Sequence, residues 1–139
     1  MVHPTSIRLR DTVAAEVEAR GESRNQIINR DLDRLYALYK RALREVDLNT
    51  KEAMLIVDSL NGTVFTDPLS ATLLWANIED SIRLDDLDAK WDVDGAALAT
   101  KLRGLTSIQA MAVVDAAERF WADPEKDIEP WVRECFGIR

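Results

Sequence analysis

Only one short segment of this chain alternates apolar and polar residues. Almost everything else carries apolar residues at helical spacing. In Thr5-Ser6-Ile7-Arg8-Leu9-Arg10, the residues Thr5, Ile7 and Leu9 share one face and Ser6, Arg8 and Arg10 share the other, the period of a half-buried strand. A strand this short cannot stand alone and needs a partner. No other segment in the first half reads as a strand, so the expected partner is the same strand of a second chain. Thr63-Val64-Phe65-Thr66 is too short to count. The expected fold class is all-α with one short N-terminal strand pairing between chains.

Downstream, the helical signals follow in order. Asp11 is placed to cap a short helix through Arg20, with Val13 and Val17 at i, i+4. Gly21 suits the left-handed position that ends a helix. Ser23 is placed to cap the next helix, where Ile28, Leu32, Leu35 and Tyr39 form one stripe with Ile27, Leu38 and Leu43 beside it. Asp47-Leu48-Asn49-Thr50 breaks that pattern. The expected domains are therefore residues 1–46 and 47–139. In the second, helices are expected from about Thr50 to Leu60, stopping at Asn61-Gly62, and after Pro68 through Leu73, Leu74, Trp75 and Ile78. Others are expected from Asp94-Gly95, around Ser107 to Phe120, and around Trp131.

Charge divides the chain in the same place. The net charge is −7, yet residues 1–46 hold nine Lys/Arg against seven Asp/Glu, and residues 47–139 hold nine against eighteen. Two parts with different tasks are implied.

The second part reads as an internal duplication. Leu48 to Asp58 aligns with Leu105 to Asp115 at an offset of 57 residues, each copy opening with a cap and an acid or amide three residues on. At an offset of 56, Phe65-Thr66-Asp67-Pro68 answers Trp121-Ala122-Asp123-Pro124, and Trp75 answers Trp131. Helical periodicity does not explain the Asp-Pro and Trp agreements. The copies span 48–79 and 105–135, with Ile82 to Gly104 as the bridge.

At Ser6-Ile7-Arg8-Leu9 and Gly21-Glu22-Ser23-Arg24-Asn25-Gln26-Ile27-Ile28-Asn29-Arg30 the chain resembles the ribbon-helix-helix superfamily, the Arc-, MetJ- and CopG-type repressors. The resemblance covers residues 4 to about 43. It rests on a short strand ending in Arg-Leu, a helix, a Gly-x-Ser turn, and a second helix opening on polar residues before Ile. Two features depart from the family pattern: Arg10 stands where Pro is usual, and the first helix is about one turn short, which keeps the helical faces in phase.

The resemblance implies a homodimer whose paired strands enter the major groove of duplex DNA. Ser6, Arg8 and Arg10 would then face base edges, with Arg8 able to bond both acceptors of a guanine. Ser23, Arg24 and Asn25 would contact phosphate at the positive start of the second helix. Ile7, Leu9, Val13, Val17, Ile28, Leu32 and Leu35 would form the dimer core. The implied function is a sequence-specific regulator, most simply a repressor. Two other readings compete: an antitoxin that binds its toxin through the second part, and a protein-interaction module without DNA binding, which the overall negative charge favours.

Several chemistries lack their residues. One Cys and one His, Cys135 and His3, cannot form an internal disulfide or a zinc site. Cys135 reads as a small apolar core residue. Asp85 to Gly95 lacks the Gly and Glu of a calcium loop, and Asp94 reads as a helix cap. Trp75, Trp91, Trp121 and Trp131 read as core anchors. No phosphate loop or nucleophile motif points to an enzyme or a cofactor. The N-terminal MVHPTSIRLR lacks an apolar secretory stretch and no segment has the length of a membrane span, so a cytosolic protein is expected.

Overall fold

In the computed structural model, residues 10–21, 23–62, 70–123 and 125–138 are described. Among them all regular structure is α-helical: α1 Asp11–Ala19, α2 Arg24–Arg44, α3 Thr50–Ser59, α4 Ala71–Asp85, α5 Leu87–Trp91, α6 Gly95–Arg103, α7 Ser107–Ala122 and α8 Ile128–Phe136. The expected strand lies outside the described residues except for Arg10. That residue holds an extended φ/ψ of −63°/150° and takes the N-cap position of α1.

The chain forms two compact units, residues 1–37 and 38–139. The division falls inside α2. Ala42, Leu43 and the following Val46 belong to the hydrophobic core of the second unit, so that core begins within α2, which ends at Arg44.

In the first unit, α1 ends as expected. Gly21 adopts φ +66°, a left-handed conformation that costs glycine little, and its N–H donates to the Glu18 carbonyl at 3.1 Å. The start of α1 corrects the sequence reading. Asp11 is the first helical residue, not the cap, and the Arg10 cap position makes no side-chain hydrogen bond. The Asp11 carboxylate still lies in the first turn, where it favours the helix dipole.

The second unit is built around α3. Glu52 through Val57, Ser59 and Leu60 are all buried, as expected of a helix that is apolar nearly all round. It packs against α4, α5, α7 and α8. Both capping boxes form. Asn49 accepts from the Glu52 N–H while Glu52 accepts from the Asn49 N–H, and Thr106 and Gln109 do the same at α7. Asp94 caps α6 by accepting from the N–H groups of Ala96 and Ala97.

Helices α3 and α4 pack together, as do α7 and α8, and the pairs also exchange partners: α3 packs on α8 and α7 on α4. These four helices thus lean on one another. The Asp-Pro element at 65–68 and Pro124 lie outside the described residues. The tryptophans are core anchors. Trp75 is 8% exposed, and Trp91, Trp121 and Trp131 are half-buried against the core. The Trp121 indole donates to the Val57 carbonyl at 2.8 Å, and the Phe120 and Trp131 rings lie 5.4 Å apart.

The bridge contains a helix that the sequence did not announce. The five-residue α5 sits between two left-handed aspartates, Asp86 at φ 50° and Asp92 at φ 55°. Trp91 and Lys90 both donate to Asp58 Oδ2, at 2.9 and 2.7 Å, tying α5 to α3.

Candidate nucleic-acid interface

The residues expected to meet phosphate are on the surface of the first unit. Ser23 directly precedes α2, and its carbonyl accepts from the Ile27 N–H at 3.0 Å. Ser23, Arg24 and Asn25 are all exposed. The first turn of α2 contains no acidic residue, so no carboxylate of that turn competes for its positive end. Arg10, exposed, precedes α1. Ser6 and Arg8, the other base-contact candidates, lie outside the described residues, as do Ile7 and Leu9.

The dimer-core candidates divide. Val17 is buried, at 8% exposure, and Ile28 is half-buried. Val13, Leu32 and Leu35 are exposed by 44%, 55% and 42% in the single chain. Tyr36, at 51%, joins them. The stripe read from the sequence contains Tyr39 and omits Tyr36, although Tyr36 follows Leu32 by four residues, one helical turn. Of the residues beside the stripe, Ile27 and Leu43 are deeply buried at 1% and Leu38 is exposed by 46%.

An open groove of about 350 Å³ runs along α1, lined by Thr12, Val13, Glu16, Val17 and Arg20, with Asp31 from α2. Arg20 Nη1 donates to Asp31 Oδ2 at 2.9 Å and Nη2 lies 3.8 Å from Glu16 Oε1. This tie across the α1–α2 turn was not read from the sequence; the partners are eleven residues apart and follow no helical spacing.

In the second unit Cys135 packs against the hydrophobic core. Burial pushes the Cys135 thiol up, against the opposing effect of the Arg119 guanidinium 3.7 Å away, which makes it a poor nucleophile at neutral pH. Among the described residues no cluster of His, Cys, Asp and Glu could hold a metal ion, and no helix is long and apolar enough to cross a membrane. No family model, curated protein or solved structure matches the chain.

Proposed function

We propose that this protein is a sequence-specific DNA-binding regulator, acting as a repressor and binding as a homodimer through residues 1 to about 46. Two copies of the segment around Ile7 pair antiparallel and enter the major groove, Arg8 reads guanine, and Ser23, Arg24 and Asn25 seat the start of α2 on the phosphate backbone. One observation carries this reading. Val13, Leu32, Leu35 and Tyr36 of the two-helix unit that bears the Gly21 turn are large and exposed. A small helical pair that leaves such residues in water gains by covering them with a second copy.

The antitoxin reading is less well supported. A toxin-binding tail is often disordered when free, whereas residues 38–139 have a core of their own. The interaction-module reading draws support from the nine-to-eighteen charge balance of residues 47–139.

Selection of duplexes from a random library tests the proposal. A twofold-symmetric site is expected. Arg8→Ala should remove the sequence preference and leave the dimer folded. If the purified protein enriches no duplex, the DNA reading fails and the interaction module takes its place.

A further inference from the structure

We propose that the Arg20–Asp31 ion pair is a positioning clamp that holds the start of α2 at the angle at which Arg24 meets phosphate. The inference rests on the DNA-binding reading above. The turn between α1 and α2 contains Gly21 at φ +66°, the residue type with the greatest backbone freedom. Such a joint does not fix by itself the angle between the helices it connects. The tie across it is made by side chains: Arg20, at the C-cap of α1, donates to Asp31 at 2.9 Å, and Asp31 lies two turns into α2. Glu16, one turn before Arg20 and 3.8 Å from it, helps keep the guanidinium extended along α1. Arg20 and Asp31 are 38% and 44% exposed at their side chains, so the pair adds little to stability. A phosphate contact is more demanding, because its hydrogen bonds weaken steeply with misalignment.

Simple charge arithmetic and the clamp make opposite predictions for one substitution. Asp31→Asn removes a negative charge from the DNA-binding unit, and by charge alone it should tighten binding to a polyanion. By the clamp it should loosen binding, because Arg20 loses its anchor. Arg20→Ala should loosen binding as well, and the double variant should be no weaker than the weaker single variant. Arg20→Lys keeps a cation in reach of Asp31 and should retain most of the affinity.

The test is titration of the full-length variants against the duplex selected by the wild-type protein, with unfolding midpoints measured alongside. Asp31→Asn and Arg20→Ala are each expected to bind about two- to tenfold more weakly, since both halves of a dimer lose a modest exposed pair, with midpoints nearly unchanged. In the Arg20→Ala background, Arg24→Ala should cost less than it does in the wild type, because the clamp acts through that contact. Tighter binding by Asp31→Asn, or fully additive losses with Arg24→Ala, would overturn the clamp and leave the DNA reading standing. Absence of any duplex bound by the wild-type protein would overturn both.

Discussion

Lys101 Nζ lies 2.7 Å from Glu52 Oε1, the same oxygen that accepts the Asn49 N–H of the α3 capping box. Glu52 is 4% exposed at its side chain and Lys101 35%, so a residue of α6 neutralises a carboxylate sealed into the core of the second unit. The hydrogen bond to Glu52 raises the Lys101 pKa above its ordinary value, so Lys101 stays charged at neutral pH. Its contribution is fully present below the ordinary lysine pKa and is lost as pH rises through the raised one.

Lys101→Met should therefore destabilise the protein. Removing one partner of a fully buried pair costs about 3–5 kcal/mol. Lys101 is partly solvated and Glu52 keeps its bond to Asn49, so a loss of about 1–3 kcal/mol is expected in urea unfolding. Glu52→Gln, which copies the Thr106–Gln109 box, should cost less than Lys101→Met. The reverse order would show that Lys101 does not serve to neutralise Glu52.

Glu118 gives a prediction of opposite sign. Desolvation, with help from Asp115, raises its pKa above the usual carboxylate range. The folded state then holds the proton more tightly than the unfolded state, so Glu118 weakens folding as pH rises through the interval between its unfolded and folded values. Glu118→Gln should raise the melting temperature slightly at pH 7, and the gain should vanish below pH about 4, where both states are protonated. Glu118 remains exposed at the surface, so the effect is small. A Gln variant less stable at pH 7 would contradict it.

Asp86 joins α4 to α5 at φ 50° and ψ 42°. Non-glycine residues pay about 1–2 kcal/mol in this region, aspartate less than most. Asp86→Gly should stabilise by up to about 1 kcal/mol, the relief being partly offset by the greater freedom of the unfolded chain. Asp86→Val should destabilise, because a β-branched residue fits positive φ poorly. Chemical denaturation of the two variants checks both signs.

Leu35 tests the dimer. It is 42% exposed in the single chain, so Leu35→Glu should leave the helical content intact. It should convert a dimer to a monomer in sedimentation equilibrium, since a charge in an apolar interface has no partner. A variant that sediments with the same mass as the wild type would remove Leu35 from the interface.

What the sequence revealed follows from range. The α3 and α7 starts, the Asp94 cap and the Gly21 turn are each set by residues within four positions of one another, and each is found in the structure. The start of α1 was misread because Asp11 has the chemistry of a cap, and Arg10 displaced it by one residue. Helix α5 escaped notice because its flanking aspartates read as loop residues, and left-handed backbone at Asp leaves no periodic trace. Long-range ties were the least visible. Glu52 and Lys101 are 49 residues apart and Trp121 reaches Val57 across 64; nothing local couples them. In the candidate interface, Leu32 and Leu35 of the exposed face of α2 are legible, and Tyr36 and the Arg20–Asp31 tie are not.

The exchange of partners among α3, α4, α7 and α8 governs how the second unit comes apart. Since α8 packs on α3, shortening the polypeptide from its C-terminus would uncover α3 before reaching any part of α7. Residues 38–139 should consequently melt in a single step, with neither the α3–α4 pair nor the α7–α8 pair able to survive the loss of the other.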